Sequence, residues 1–160
     1  MARHQLTQVA YDRLKAEFDD LTTRGRIQVA EKIERAREMG DLSENGDYHA
    51  AKDEQGHMEA RIRQIEAILE NHEIVEGTSD GTVAVGCIVT ILYDGDSPEQ
   101  AERYLIGHME EKPVDPSVQV MSPTSPLGAA LLGAAPGNKV KYKAPNGMLS
   151  VSVVRVEPNA

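Results

Sequence analysis

The chain has 160 residues, with 17 basic against 26 acidic side chains, a net charge of −9, one cysteine and no tryptophan. This length suits one or two small domains, and the negative charge argues against unaided binding of duplex DNA, whose phosphates require clustered Lys and Arg. A single cysteine cannot form an internal disulfide, and no stretch of about 18 apolar residues occurs. These properties predict a cytoplasmic protein with no membrane association.

The first half of the chain is predicted to be a helical hairpin. Its apolar positions recur three or four residues apart, as on one face of a helix: Tyr11, Leu14, Phe18 and Leu21, then Val29, Ile33 and Ala36, and later Ala51, Gln55, Met58, Ile62, Ile65, Leu69 and His72. The spacing slips by one position at Gly25, which predicts a local bend. Turn-forming residues at 39–47 separate the helices, which should pack as an antiparallel α-helical coiled-coil hairpin.

The second half has the composition of a sheet domain. All eight prolines lie at or after Pro98, and the composition changes at the Gly- and Ser-containing segment 77–81, a predicted linker. Alternating apolar residues predict strands over 86–93, 101–106, 117–121, 139–143 and 149–156. Ser125 as N-cap and Pro126 as the first helical residue predict one short helix that ends at Gly133. The predicted fold class is α+β, with a hairpin domain over 1–76 and an antiparallel β-sheet domain over 82–160.

The acidic tip of the hairpin, near 40–47, is the candidate functional site. Asp41 and Glu44 lie three positions apart, and Asp47 follows three positions later. Carboxylates near a helix start often serve only as caps and partners of the helix dipole. Alternatively, Asp41 and Glu44 hold a hard cation or a water, but Mg²⁺ takes about six oxygen ligands and these two acids supply only two or three. A self-contained hydrolase is therefore disfavoured, and a half-site donated to another molecule's reaction is the chemically consistent alternative.

Two weaker signals lie beside the tip. His49, Asp53 and His57 recur every four residues, but without a fourth ligand a solvated helix face is favoured over a metal site. Basic residues flank the tip on both helices and suit either a phosphate chain or ion pairs with neighbouring acids: Arg35, Arg37 and Lys52.

The sequence around the tip resembles that of the bacterial Gre transcript-cleavage factors. The shared pattern is GDLSEN at 40–45, YHAAK at 48–52 and EQG at 54–56, which is long and position-specific. Residues 122–132 resemble the family's Ser-Pro helix start, so the resemblance extends over essentially the whole chain. The acidic balance is similar to that of the GreA branch, because the GreB branch carries a broader basic surface.

The resemblance implies that the chain acts inside bacterial RNA polymerase. In the family, the second domain docks at the rim of the secondary channel, and the hairpin reaches the active site where the backtracked RNA 3′ end lies. Asp41 and Glu44 would then help to hold the second Mg²⁺ of a two-metal hydrolysis, and the polymerase would supply the first metal. The chain would be a monomer and not itself an enzyme, because it activates the nuclease activity of the polymerase.

The resemblance also assigns two further groups of residues. These are RNA contacts near the tip and docking contacts on the polymerase rim: Arg37, Tyr48 and Lys52, and Thr124, Ser125 and Pro126. The chain departs from the family pattern at Gly46-Asp47, at His57 and at Thr124. None of these departures removes either tip acid.

Two other functions remain open at this point. One is a non-cleaving channel binder that shares the Gre fold and inhibits transcription, which is disfavoured because such a protein has no need of both tip acids. The other is a prolyl isomerase, because the family's second domain is FKBP-like. The second half of the chain has no Trp and the one Phe, Phe18, lies in the hairpin, so the aromatic-lined pocket of such an enzyme is not predicted.

Overall fold

The computed structural model describes residues 3–40, 45–76 and 80–159. These residues form two compact units, of which the hairpin unit is Tyr11–His72. The sheet unit combines the described residues of Met1–Ala10 and Glu73–Ala160. The sequence instead groups the first ten residues with the hairpin. They accompany the sheet because strand β1 (His4–Leu6) pairs with strand β2 (His72–Ile74), and pairing between such distant segments leaves no local signal in the sequence.

The predicted bend near Gly25 is a π-helical turn. Helix α1 (Gln8–Asp20) continues through a π-helical turn (Leu21–Gly25) into helix α2 (Arg26–Arg37). Hydrogen bonds in such a turn span five residues rather than four, so the turn absorbs the one-residue slip of the apolar stripe. At Gly25 an added Cβ would lie 3.1 Å from the Met58 sulfur. The missing side chain therefore lets the two arms of the hairpin approach closely.

The second arm is helix α3 (Gly46–Glu70), which packs against α2 along one apolar seam. The predicted helical stripe is confirmed except at its end, where Ile68 is buried and Leu69 is half-buried. The buried members of the seam are Leu14, Val29, Ile33, Ala36, Ala51, Ile62, Ile65 and Ile68. Ion pairs cross between the arms beside it: Glu17–Arg61 at 2.7 Å, Arg26–Glu59 at 2.9 Å and Lys32–Glu54 at 3.0 Å. Solvent-accessible pairs of this kind, partly buried in the case of Glu17–Arg61, contribute about 0.2–1 kcal/mol each, so the seam dominates.

The sheet unit contains a five-stranded sheet with one helix against it. Its elements are β3 (Cys87–Tyr93), β4 (Glu102–Ile106), β5 (Gln119–Met121), helix α4 (Pro126–Leu131), β6 (Lys139–Ala144) and β7 (Gly147–Pro158). The strand order is β5-β4-β3-β7-β6, and every pair is antiparallel except β4–β5, which is parallel. The predicted α+β class is confirmed, with a mostly antiparallel sheet and, among the described residues of this unit, one short α-helix and a 3-10 turn (Pro98–Gln100).

Helix α4 covers one face of this sheet and forms the main core with it. The buried members of that core are Val83, Val89, Ile91, Ile106, Leu127, Leu131, Ala134, Val151 and Val153. Thr7, near the start of the chain, is tied to this unit by the buried Glu111. The Glu111 carboxylate accepts hydrogen bonds from the backbone N–H (2.9 Å) and the hydroxyl (2.7 Å) of Thr7. Across the described residues, no helix is both long enough and apolar enough to span a bilayer.

Candidate functional site

The two predicted metal-binding acids, Asp41 and Glu44, lie outside the described residues. The structure describes the two helix ends on either side of them, which finish at Gly40 and resume at Asn45. Their roles therefore stay predictions, and the geometry of the site is that of its flanks.

Helix α2 ends in a tightening turn that leads to Gly40. The backbone N–H of Met39 donates to Ala36 O (3.1 Å), and that of Gly40 donates to Arg37 O (3.4 Å). These shorter-range bonds satisfy carbonyls that have no partner within a regular helix end. Gly40 has φ +119°, a backbone conformation that residues other than glycine rarely adopt. The glycine of the GDLSEN sequence therefore ends this arm.

Asn45 is the N-cap residue before helix α3, and its side chain joins both arms. Its Oδ1 accepts the backbone N–H of Tyr48 (3.1 Å), which is the N-cap bond of α3. Its Nδ2 donates to the carbonyl of Ala36, in the last turn of α2. One side chain thus closes the hairpin across the tip. No role for Asn45 was predicted from the sequence, although an Asn directly before a helix is a preferred N-cap.

The structure brings two of the three predicted RNA-contacting residues together. The Arg37 guanidinium carbon lies 6.0 Å from the centre of the Tyr48 ring, at the limit of a cation–π contact. Tyr48 also packs edge-to-face with His49, with ring centres 5.6 Å apart. Lys52, the third residue, instead donates to Gln55 Oε1 at 3.0 Å. Arg37 and Lys52 are both exposed, so two cations lie close behind the tip.

A shallow depression of about 370 Å³ lies between the ends of α2 and α3. Its lining mixes both signs of charge with small apolar side chains: Lys32, Arg35, Ala36, Met39, Asp47, Ala50, Ala51 and Glu54. Over residues 3–40, 45–76 and 80–159, no group of three or more His, Cys, Asp or Glu is arranged to hold a metal ion.

The predicted docking residues sit where the chain enters helix α4. The Ser125 hydroxyl accepts the N–H of Gly128 (3.1 Å) and donates to Ser122 O (2.7 Å), as the N-cap of α4. Thr124 is exposed, and its backbone N–H donates to the Ser122 hydroxyl (3.1 Å). Thr124 and Pro126 are therefore available to a partner, whereas the Ser125 hydroxyl is engaged within its own turn.

Beside this segment the sheet unit has an apolar groove of about 520 Å³. Two tyrosines line it, Tyr104 and Tyr142, together with Val120, Met121, Ser122, Ser125, Pro126, Leu127, Lys143, Ala144 and Pro145. Burial and a hydrogen bond to Glu102 raise the pKa of Tyr104 to about 12. The expectation that this domain has no aromatic-lined pocket is wrong, because it counted Phe and Trp and left out tyrosine.

Comparison with known proteins gives matches over both halves of the chain. Residues 4–74 match the family described as "Transcription elongation factor, N-terminal", and residues 78–158 match "Transcription elongation factor, GreA/GreB, C-term". Transcription elongation factor GreA of Streptomyces avermitilis is 45% identical over 155 residues, which cover 96% of this chain and 92% of that protein. The GreA of Mycobacterium tuberculosis is also 45% identical, over 96% of this chain and 93% of its own length.

The solved structures that are similar include GreA factor homolog 1 of Thermus thermophilus. It is 26% identical and the alignment covers 97% of this chain and 99% of that one, with a TM-score of 0.42.

Proposed function

The chain belongs to the GreA/GreB family of transcription elongation factors, and we propose that it stimulates the intrinsic RNA cleavage of bacterial RNA polymerase. In this proposal the hairpin enters the secondary channel and meets the backtracked RNA 3′ end. The observation that carries it is the GDLSEN sequence at 40–45, placed between two helix ends that Asn45 joins. Two acids at the end of a helical hairpin suit a reaction whose remaining groups another protein supplies.

Asp41 and Glu44 are proposed to hold the Mg²⁺ that the polymerase active site shares with the hairpin. The ion, when bound, stabilises charge on the phosphate oxygens and makes a bound water more acidic. Two carboxylates satisfy only part of its coordination, so the ion is not stably held by the free chain. This division of ligands makes the chain an activator of the polymerase nuclease and not an enzyme by itself.

Arg37, Tyr48 and Lys52 are proposed to receive the extruded RNA behind the acids. Arg37 and Lys52 present cations to the phosphates, and Tyr48 presents a ring on which a base can stack. Lys52 makes its described hydrogen bond to a neutral amide, that of Gln55, so its charge is not neutralised by that contact. These cations offset the net negative charge of the chain where the RNA approaches.

Thr124, Ser125 and Pro126 are proposed to contact the rim of the secondary channel. The hydrogen bonds between Ser122 and Ser125 fix the turn in which Thr124 and Pro126 are exposed. A turn that is already ordered loses little conformational freedom on binding. We propose that the chain docks as a monomer, in the cytoplasm where the polymerase works.

A cleavage assay on a stalled, backtracked elongation complex with Mg²⁺ tests the proposal. Wild type is expected to shorten the RNA, and Asp41→Asn and Glu44→Gln are each expected to slow cleavage by at least about 10-fold, because each removes a metal-binding charge. Asp47→Asn is the matched control, since Asp47 is an exposed acid in the first turn of α3 with no assigned role, and it should cleave as wild type does.

Two outcomes contradict the proposal. If wild type produces no shortened RNA, the chain does not stimulate cleavage, and slowed elongation in the same reactions would favour the non-cleaving channel binder. If wild type cleaves but both tip variants cleave equally fast, the assignment of the acids is wrong.

A further inference from the structure

We propose that Asn45 is a positioning residue that holds Arg37 against Tyr48 on the RNA-facing side of the tip. The functional part of this inference rests on the proposed cleavage function. Its structural part rests only on contacts among described residues, namely Ala36, Arg37, Asn45 and Tyr48.

The Asn45 amide uses both of its ends. The backbone N–H of Tyr48 is a donor and the carbonyl of Ala36 is an acceptor. Only the orientation with Oδ1 toward Tyr48 and Nδ2 toward Ala36 satisfies both partners. A carboxylate has no donor for the carbonyl of Ala36. A serine hydroxyl can donate and accept, but it does both from one oxygen on a side chain one bond shorter, so a hydroxyl that caps the N–H of Tyr48 does not extend to the opposite arm as the two amide atoms of Asn45 do.

The acceptor of this bridge is well fixed. Ala36 is 3% exposed in the apolar seam, and its carbonyl also accepts the N–H of Met39 at 3.1 Å. A carbonyl oxygen has two lone pairs, so it accommodates both donors. The Asn45 side chain is thus tied to a rigid part of α2 and not to the exposed turn that follows it.

The bridge determines how Arg37 meets Tyr48. Arg37 follows Ala36 directly in the chain, and Tyr48 is the residue whose N–H Asn45 binds. The contact between the guanidinium and the ring, at 6.0 Å, is long and exposed and is therefore weak by itself. Since each partner is attached to one end of the Asn45 bridge, that bridge holds the two side chains at contact distance.

The alternative is that Asn45 serves only as the N-cap of α3. Ser, Asp and Asn are about equally good N-caps, but only Asn has the amide donor that reaches Ala36 O. Asn45→Ser and Asn45→Asp therefore keep the cap and remove the bridge. Asn45→Ser reduces the side-chain volume without adding charge, and Asn45→Asp adds a charge at nearly the same volume. An effect that both variants share therefore comes from the lost bridge and not from volume or charge.

The first measurement is NMR on the full chain without polymerase. The side-chain protons of Arg37 lie near the Tyr48 ring and should show a ring-current shift relative to the Tyr48→Leu variant. Asn45→Ser and Asn45→Asp are expected to lose most of that shift. Asn71→Ser, the same chemical change at the far end of α3, should keep it. A shift that persists in both Asn45 variants would overturn the inference.

The second measurement is the maximal rate of RNA cleavage at saturating factor, with the half-saturating concentration determined alongside. Both Asn45 variants are expected to lower the maximal rate by about 10-fold, because misplacing a positioned group by about 1 Å can cost up to about 100-fold. The half-saturating concentration should stay within about twofold of wild type, because the proposed docking residues are untouched. Loss of folding or of a helix cap alone would instead raise that concentration.

The two measurements separate the inference from the proposed function. Wild-type cleavage with no rate loss in either Asn45 variant overturns the positioning role. Absence of cleavage by wild type contradicts the proposed function, and the NMR comparison then decides alone whether Asn45 sets the Arg37–Tyr48 contact.

Discussion

The hairpin unit and the sheet unit bury their apolar residues in different ways. The hairpin has one seam with a single row of side chains from each arm, and near its tip the only buried apolar residues of the described chain are Ala36 and Ala51. The sheet unit has a core in which several large side chains are entirely inaccessible, such as Ile91 and Leu131. Regions with few buried contacts open most readily. The difference teaches that the hairpin tip, the proposed reactive end, is held by a few polar bonds, whereas the proposed docking segment is built on a dense core.

The largest expected loss of stability follows from replacing one buried isoleucine by alanine in the sheet core or in the hairpin seam. Ile91→Ala should cost about 2–5 kcal/mol of the free energy of unfolding, because Ile91 is fully buried and the surrounding strands cannot collapse onto the cavity. Ile33→Ala, at a seam position that is 9% exposed, should cost less, since the arms can close over the smaller residue. Denaturant unfolding of both variants measures the two losses.

The chain provides separate probes for the two units in that experiment. Tyr93, Tyr104 and Tyr142 all pack on the core of the sheet unit, so near-ultraviolet circular dichroism mainly reports its unfolding. Far-ultraviolet helical signal mainly reports the hairpin. Ile91→Ala should shift the tyrosine-detected transition most. Equal losses of unfolding free energy in Ile33→Ala and Ile91→Ala would show that the hairpin seam is packed as densely as the sheet core.

The next largest effects are those of two Gly→Ala substitutions, which should change the free energy of unfolding in opposite directions. At Gly128 an added Cβ would lie 2.0 Å from the carbonyl oxygen of Ser122, a backbone atom that cannot move without breaking the turn before α4. Gly128→Ala should destabilise the sheet unit by about 1–3 kcal/mol. Gly56, within α3, has no atom within 4 Å of an added Cβ, so Gly56→Ala should stabilise the hairpin by about 1 kcal/mol.

Thermal unfolding of these two variants checks the signs. A lower thermal midpoint for Gly56→Ala would contradict the expectation that the added methyl group meets no other atom. An unchanged Gly128→Ala would mean that the Ser122 carbonyl is free to shift, and the turn that exposes Thr124 would then not be preordered.

Much of this fold could be predicted from the sequence because its signals are local. The 3.6-residue spacing predicted both arms, and Ser125-Pro126 predicted the start of α4. Three features had no local signal. The β1–β2 pairing and the parallel β4–β5 pair join segments that are far apart or separated by a long loop, and a one-residue slip at Gly25 fits a bend as well as a π-helical turn.

The candidate site was predictable in its residue types and not in its internal contacts. The GDLSEN sequence identifies the two acids, and the neighbouring cations follow from their position on the arms. That Arg37 contacts Tyr48 while Lys52 contacts Gln55 depends on side-chain rotamers, which sequence spacing does not determine. The Asn45 bridge was missed for a related reason, because an N-cap signal predicts the bond to Tyr48 but says nothing about the opposite arm.

The smallest expected effect is a pH dependence confined to the sheet unit. His4 Nδ1 and His108 Nε2 lie 2.9 Å apart, and His108 Nδ1 accepts the backbone N–H of Glu110 at 3.0 Å. Neutral His108 therefore carries its proton on Nε2 and donates it to His4. Protonating either ring places two N–H groups face to face. Burial, then the charge of His4, lowers the pKa of His108, although Glu110 and Glu111 oppose the shift.

The sign of the stability change follows from this lowered pKa. Between the folded pKa of His108 and its unfolded value of about 6.5, the unfolded chain binds more protons, so stability rises with pH across that window and is lost as pH falls. The thermal midpoint of wild type should drop on going from about pH 8 to about pH 5 by more than that of His108→Gln. His57→Gln, an exposed histidine of the hairpin, should follow wild type. A His108→Gln profile identical to that of wild type would show that the paired rings contribute nothing to the pH response.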